Sequence, residues 1–284
     1  MALIGAIIGD IIGSRFEFPD QRPENLDYQN VNLISPFCEY TDDTVMAIAT
    51  KFAIDKYYGI ESGFAKAYRE FGLMFPDVGY GDKFFEWINN PNAKAYESYG
   101  NGSAMRIPYI ADFFIKKNIT LDIAGLKAIS DYAVASAKCT HNSLEGELGA
   151  MTAAISMTMC GNKLDKDKIL KFFINAYKGH IYNGSEPLEY LRMTYTWSDT
   201  CDKTVPVAFR CFYESTDYES CIRNCLSLPC DMDTVCCIAG AMAEAYYGTT
   251  GLDNKSILKT YLPPYLYKYI EDIVEKEEKV NAYK

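Results

Sequence analysis

The sequence predicts an all-α protein, built as a single compact multi-helix bundle, and three observations lead to this. Apolar residues recur at intervals of three and four along most of the 284-residue chain, the spacing that aligns side chains on one helical face. No segment shows the strict alternation of a half-buried strand. Hydrophobic residues make up 49% of the chain, enough to bury the large core that packed helices need.

The helices follow in order from this periodicity. The first is predicted by isoleucines that share one face, Ile4, Ile7, Ile8, Ile11 and Ile12. Ten more are predicted over residues 45–58, 64–75, 103–116, 121–137, 144–160, 166–177, 205–213, 218–226, 234–247 and 264–277. Residues 79–102 and 178–203 lack sustained periodicity and are predicted as long loops, which in a compact domain are often functional.

The composition narrows the class of protein. No Pro-, Gly- or Ser-rich linker divides the chain, so residues 1–284 are predicted to form one domain. The net charge of -10 argues against a broad surface for nucleic acid. The apolar opening lacks a basic start and is interrupted by Asp10, and no run reaches the ~20 apolar residues of a membrane span. We expect a soluble, cytoplasmic protein, with a monomer as the default for this size.

The ten cysteines are predicted to be reduced and buried. A chain of this length can build a core without disulfides. The densest group, which comprises Cys221, Cys225, Cys230, Cys236 and Cys237, lacks paired C-x-x-C spacing and a nearby histidine. These residues are therefore interpreted as small hydrophobic side chains rather than a zinc site.

Two distant segments match and carry the main chemical signal. Residues 43–49 and 233–239 both read D-T-V-x-x-I-A, each at the start of an apolar helix, and another carboxylate stands just upstream in Asp42 and Asp231. Either pair alone is explained by helix capping. Together they favour a different interpretation, because the following helices must lie deep in the core, where unpaired carboxylates are costly.

Bound cations resolve this cost. Oxygen ligands suit hard ions, so the four aspartates predict two Mg²⁺ or Mn²⁺ ions rather than zinc. Thr41 and Thr234 can add neutral oxygen ligands. Two such ions near each other can polarise a substrate oxygen or generate a nucleophile.

Glycines at positions 5, 9 and 13 form a helical stripe that leads to Glu17. Close helix packing explains the glycines well. It does not explain Glu17, which lies near the end of the predicted helix. Glu17 is either a functional carboxylate or an ordinary surface acid.

A glycine-rich turn, 99–103, stands just before a helix that begins Ala104-Met105-Arg106. Its backbone amides could hold a diphosphate, although a simple turn with a serine cap fits equally. Arg106 is either an anion contact or a buried structural residue. His141, just before another helix, is either a ligand contact or a hydrogen-bonded structural histidine.

In order along the chain, these segments resemble the ADP-ribosylglycohydrolase family. The matching series comprises Gly5-Ala6-Ile7-Ile8-Gly9-Asp10, Gly13-Ser14, Glu17, Tyr40-Thr41-Asp42-Asp43-Thr44, Gly100-Asn101-Gly102-Ser103-Ala104-Met105-Arg106, Thr140-His141, Thr204-Val205-Pro206, Asp231-Met232-Asp233-Thr234-Val235 and Ile238-Ala239-Gly240-Ala241. One departure stands before the second acidic motif, where the family usually has two glycines and this chain has Pro229 and Cys230. Because proline lacks an amide donor, any contact from that loop to substrate is in doubt.

The resemblance implies an all-α fold and a site for ADP-ribose. It implies a binuclear magnesium or manganese centre bound by Thr41, Asp42, Asp43, Asp231, Asp233 and Thr234. It assigns ADP-ribose binding to Gly100, Asn101, Gly102, Ser103, Met105 and His141. Glu17 would lie on a mobile segment beside the scissile bond, and the proton of the reaction would be handled by Glu17, Asp42 or Asp43.

The predicted function is metal-dependent hydrolysis of the glycosidic bond between ADP-ribose and a modified acceptor, with a protein side chain as the expected acceptor. The partner is then an ADP-ribosylated protein or another ADP-ribose conjugate. Two alternatives stay open. One is a metal-dependent nucleotide phosphohydrolase, which needs similar groups, and the other is an ADP-ribose-binding relative without catalysis.

Overall fold

A computed structural model describes residues 1–281, and this part of the chain contains helices and no strands. The α-helices are α1 Leu3–Gly13, α2 Asp42–Tyr57, α3 Glu61–Met74, α4 Asp82–Asn89, α5 Gly102–Met105, α6 Pro108–Lys116, α7 Ile123–Lys138, α8 Leu144–Gly161, α9 Lys166–Ala176, α10 Leu188–Thr194, α11 Cys201–Tyr213, α12 Tyr218–Leu226, α13 Met232–Tyr247, α14 Asn254–Tyr261, α15 Pro264–Tyr267 and α16 Glu271–Asn281. A 3₁₀ turn, Ser14–Phe16, follows α1. Within the described residues, no helix has the length and apolar content needed to cross a membrane.

Two predicted helices are each divided in the structure. The predicted helix over 103–116 breaks between α5 and α6, because Pro108 has no amide hydrogen to continue the helical ladder and instead starts α6. The predicted helix over 264–277 is interrupted at residues 268–270, between α15 and α16. In both places the apolar periodicity continues through the break, so a prediction from periodicity treats the two short helices as one.

The prediction that residues 79–102 and 178–203 are loops was partly wrong. The first contains α4, which buries Phe84, Trp87 and Ile88 on one face, and the second contains the short helix α10 and the start of α11. Helix α14 was missed altogether. These helices have seven or eight residues, too few for a sustained periodic signal.

The core is organised around α1 and α13, which pack antiparallel and very closely. A Cβ atom at Gly5, Gly9 or Gly13 would stand 2.5, 2.2 or 2.5 Å from a backbone oxygen of α13. The glycine stripe is therefore required for close helix packing, as the simpler interpretation held. It also brings the end of α1, and Glu17 beyond it, against the start of α13.

All ten cysteines are buried and form no disulfide, as predicted. The group near the start of α13 lies in the apolar core, where Cys230 directs its thiol toward the Cys225 carbonyl oxygen and the Met232 sulfur, both at 3.8 Å. Residues 229–230, which depart from the family pattern, thus lead into α13 through a buried contact.

Candidate functional site

A cleft of about 520 Å³ opens where α2 and α13 begin. Eleven of the thirteen residues predicted for the site line it, namely Glu17, Asp42, Asp43, Gly100, Asn101, Gly102, Met105, His141, Asp231, Asp233 and Thr234. The other two, Thr41 and Ser103, are buried behind its wall. The tertiary structure therefore joins segments that lie more than 200 positions apart in the sequence.

The carboxylates at the two helix starts are not simple caps. Thr41 caps α2, where its hydroxyl accepts a hydrogen bond from the Asp43 amide at 3.2 Å. Asp231 occupies the capping position of α13, but its side chain accepts no capping hydrogen bond from a backbone amide of that helix. Capping therefore does not account for the presence of Asp42, Asp43 and Asp231 at these positions.

The two helix starts meet in the cleft. The Thr234 hydroxyl on α13 donates to Oδ2 of Asp43 on α2 at 3.2 Å. Carboxylate oxygens of Glu17, Asp231 and Asp233 lie within 4.8 Å of one another. Oδ1 of Asp43 is buried and has no nitrogen or oxygen donor at hydrogen-bonding distance among residues 1–281. An orphaned, buried carboxylate oxygen beside a carboxylate cluster fits a site for a divalent cation.

The electrostatics of this cluster disfavour its charged form. Burial raises the pKa of Asp42, Asp43 and Asp233 well above the usual range, and the neighbouring carboxylates raise it further. Burial raises the pKa of Asp231 to about 6. For Glu17, burial and then the charge of Asp231 raise the pKa to about 7. Cations would reverse this by stabilising the ionised carboxylates.

Asp10 holds the start of α2 in place through hydrogen bonds. It was not among the site residues predicted from the sequence. It is fully buried in α1, where its carboxylate accepts hydrogen bonds from the amide and the hydroxyl of both Thr41 and Thr44. Burial raises its pKa to about 6, although these hydrogen bonds oppose the shift. A single acid inside an otherwise apolar helix was the signal that could have revealed it.

The glycine-rich turn is tied to the acidic cluster through Asn101. Its side-chain amide donates to Oδ2 of Asp231 at 2.7 Å and to Thr204 Oγ1 at 3.3 Å. The Ser103 hydroxyl points away and donates to the Gly146 carbonyl oxygen at 2.8 Å. The backbone amides of Gly102 and Ser103 have no hydrogen-bond acceptor within the described part of the chain, so they remain available to a ligand.

His141 faces this turn as a neutral imidazole. Burial, and then the charge of Arg106, hold its pKa well below the usual value. Its Nδ1 lies 2.7 Å from the Thr140 hydroxyl, and a Cβ at Gly102 would stand 3.1 Å from its Nε2. His141 is therefore fixed through one ring nitrogen, while the other approaches the glycine turn.

Arg106 is a buried structural residue. Its guanidinium donates to the Ser136 carbonyl oxygen at 2.6 Å and to Thr140 Oγ1 at 3.1 Å, and it lies 4.3 Å from the centre of the Tyr68 ring. It is 1% exposed. Arg106 also lines the cleft, and its hydrogen bond to Thr140 helps to orient His141.

The structure adds several cleft residues that sequence reasoning did not select. They are mostly aromatic or charged and comprise Phe18, Tyr80, Asp82, Lys83, Phe84, Tyr96, Tyr99, Trp197 and Asp199. Most come from the two segments predicted as loops. Both segments therefore contribute side chains to the cleft, but their lack of periodicity hid which side chains face inward.

Comparison with known proteins identifies the family of this chain and its fold. The model of the family described as ADP-ribosylglycohydrolase matches residues 1–282. The chain is 25% identical over 322 residues to "ADP-ribosylhydrolase ARH3" of Homo sapiens, covering 87% of this chain and 84% of that protein. It is 23% identical over 310 residues to "ADP-ribosylarginine hydrolase Tri1" of Pseudomonas putida (strain GB-1), covering 99% and 78%.

A solved structure described as "ADP-ribosylglycohydrolase-related protein complex" shares the fold. It superposes with a TM-score of 0.67 at 18% sequence identity and covers 97% of this chain and 95% of that one. The predicted all-α fold is confirmed by this similarity and by the helices described above.

Proposed function

We propose that this chain, which belongs to the ADP-ribosylglycohydrolase family, hydrolyses the glycosidic bond between ADP-ribose and a modified protein side chain. The observation that carries the proposal is the meeting of two acidic helix starts in one cleft with a glycine-rich turn and a neutral histidine. Relatives named ADP-ribosylhydrolase and ADP-ribosylarginine hydrolase support the same substrate class.

The residues proposed to hold two Mg²⁺ or Mn²⁺ ions are Asp42, Asp43, Asp231, Asp233, Thr41 and Thr234. The orphaned Oδ1 of Asp43 supports this assignment most directly. Thr41 fits less simply, because its hydroxyl oxygen already accepts a hydrogen bond from the Asp43 amide at 3.2 Å. When bound, such ions would supply Lewis-acid polarisation of sugar hydroxyls and of the attacking water.

The protein's own groups hold these ligands in place. The Thr234 hydroxyl orients Asp43, and the Asn101 amide orients Asp231. Hydrogen bonds to a carboxylate fix its rotamer and leave its other lone pairs for a cation. The arrangement therefore presets the ligand geometry before substrate enters.

The anionic diphosphate of ADP-ribose is proposed to bind at the glycine turn. The free amides of Gly102 and Ser103 would donate to its oxygens, and so would Nε2 of His141 in the tautomer that carries the proton there. Ser103 would then contribute its backbone, since its hydroxyl is already bonded to Gly146. Met105, also at the cleft, would contact the nucleoside by packing.

Glu17 is the group proposed to transfer the proton at the scissile bond. Burial, the largest cause of its raised pKa, does not depend on whether Asp231 binds a cation, and a carboxyl with a raised pKa can both donate and accept a proton near neutral pH. A protonated Glu17 would donate to the leaving atom as the bond from the anomeric carbon breaks, and would then take a proton from the attacking water. Asp42 and Asp43 are less suited to this role when they bind cations.

The direct test uses a panel of defined ADP-ribosylated proteins in the presence of Mg²⁺ or Mn²⁺. Free ADP-ribose is the expected product, and chelation should stop its release. Inorganic phosphate in its place would support the nucleotide phosphohydrolase instead. Tight binding of ADP-ribose with no release from any member of the panel would indicate a non-catalytic relative.

A further inference from the structure

Trp197 contacts the backbone of the proposed proton donor. Its indole Nε1–H donates to the carbonyl oxygen of Glu17 at 3.1 Å, across 180 positions of sequence. The neighbouring Phe18 ring packs against the Trp197 ring, with 6.5 Å between their centres. All three residues line the cleft. The Glu17 side chain on the same backbone reaches the carboxylates of α13.

Other contacts hold Glu17 only loosely. Its amide donates to the Ser14 carbonyl oxygen at 3.3 Å, longer than a typical amide hydrogen bond of about 2.9 Å. The 3₁₀ turn ends one residue earlier, and residues 18–41 contain no α-helix. Regular secondary structure therefore does not fix the position of Glu17, and the contact with Trp197 takes that role.

Trp197 itself stands on a firmly held backbone. Residues 199–201, just after it, pair with the glycine-rich turn, which also lines the cleft. The Asp199 carbonyl oxygen accepts from the Asn101 amide at 2.7 Å, and the Cys201 amide donates to the Tyr99 carbonyl oxygen at 3.0 Å. The segment that carries Trp197 is thereby anchored to the proposed diphosphate site.

We propose that Trp197 is a positioning residue that keeps Glu17 inside the cleft. The indole N–H holds the Glu17 carbonyl, and this directs the carboxyl toward Asp231 and Asp233. This inference rests on the proposed function, in which Glu17 transfers the proton. It assigns a role to a segment, residues 178–203, whose sequence carries no recognisable motif.

The kinetic test is Trp197→Phe, which keeps an aromatic ring beside Phe18 and removes the N–H donor. We expect kcat to fall about 10-fold, as for the loss of one orienting hydrogen bond, with KM within about 2-fold of the wild type. Trp87→Phe is the matched control, because Trp87 is buried outside the cleft. Its kcat should stay close to that of the wild type.

A double-mutant cycle tests whether Trp197 acts through Glu17. If it does, Trp197→Phe combined with Glu17→Gln should be no more than about 2-fold slower than Glu17→Gln alone. Losses that multiply would overturn the proposal. So would a raised KM with unchanged kcat, because that result would mean that the ring binds substrate directly.

Hydrogen–deuterium exchange of the metal-free protein tests the same contact without activity. Amides of residues 14–22 should exchange several-fold faster in Trp197→Phe than in the wild type, while those of α13 should not change. Equal exchange at residues 14–22 in both proteins would overturn the proposal. An inactive wild-type enzyme would instead count against the proposed function, and the exchange result would still decide the role of Trp197.

Discussion

The starts of α2 and α13 share a sequence motif but are supported by different parts of the molecule. In α2, Thr44 donates to Asp10 of α1, deep in the core. In α13, the corresponding Thr234 donates across the cleft to Asp43. Asp231 at the second start is held by Asn101 from the glycine-rich turn. One start thus rests on a buried helix, and the other on a turn that lines the cleft.

We expect the support under α2 to affect mainly the stability of the fold, and the support under α13 to affect mainly the binding of cations and substrate. The hydrogen bonds around Asp10 are fully buried, so their loss should weaken the fold. The hydrogen bond from Asn101 lies at the cleft, so its loss should weaken cation and substrate binding. Substitution of the supporting residue of each start, Asp10 for α2 and Asn101 for α13, can therefore show which one matters for stability and which one for binding.

The largest effect is expected from removing one carboxylate at either start. Asp43→Ala and Asp233→Ala should each lower ADP-ribose release by more than about 100-fold, since even indirect supports of a metal ligand cost up to that much. Glu275→Ala, an exposed acid on α16, is the control. Calorimetric titration with Mn²⁺ should show binding lost in both variants. Full activity in either one would show that the two starts do not form one site.

Asp10→Ala should produce the largest loss of stability. It leaves two buried hydroxyls and two amides without their acceptor, so we expect the free energy of unfolding to fall by about 3 kcal/mol. Urea denaturation of the metal-free protein measures this. Asn101→Ala, its counterpart at the other start, should cost less, about 1 kcal/mol. Equal losses in the two variants would contradict the proposed division.

Asn101→Ala should instead affect binding. Without its amide, Asp231 loses the donor that orients it, and the affinity for Mn²⁺ should fall about 10-fold. Titration of folded protein, with helicity checked by circular dichroism, gives the value. An affinity like that of the wild type would show that the glycine-rich turn does not support the second start.

The smallest effect concerns pH. The pKa values of Asp10 and Asp231 are raised to about 6, and that of Glu17 to about 7. A raised pKa means that the folded state binds the proton more tightly than the unfolded chain does. The contribution of these acids to stability is therefore complete below about pH 4 and is lost as the pH rises toward 7.

The melting temperature of chelator-treated protein should accordingly fall between about pH 4 and 7. Saturating Mn²⁺ should reduce this fall, because a cation stabilises the ionised carboxylates. Glu17→Gln should flatten the upper part of the curve. A metal-free protein that becomes more stable over this range would contradict the raised pKa values.

Local patterns in the sequence predicted much of the fold and of the site. The three- and four-residue periodicity located most helices, because one buried face repeats within each helix. The matched D-T-V-x-x-I-A segments identified both helix starts. The ordered motifs identified the family, which is confirmed by the match of the family model to residues 1–282. The short helices α4, α10 and α14 were missed because each offers only about two helical turns.

The features of the site that only the tertiary structure decided are contacts between residues that lie far apart in the sequence. The sequence determined that acidic residues stand at two helix starts, but it did not reveal that Thr234 reaches Asp43 or that Asp10 supports Thr41. Nor did it show that Trp197 touches Glu17. Local periodicity constrains neighbours within a helix, whereas these contacts arise from how the helices pack. The glycine stripe of α1 makes this packing close, and the cleft residues come together around it.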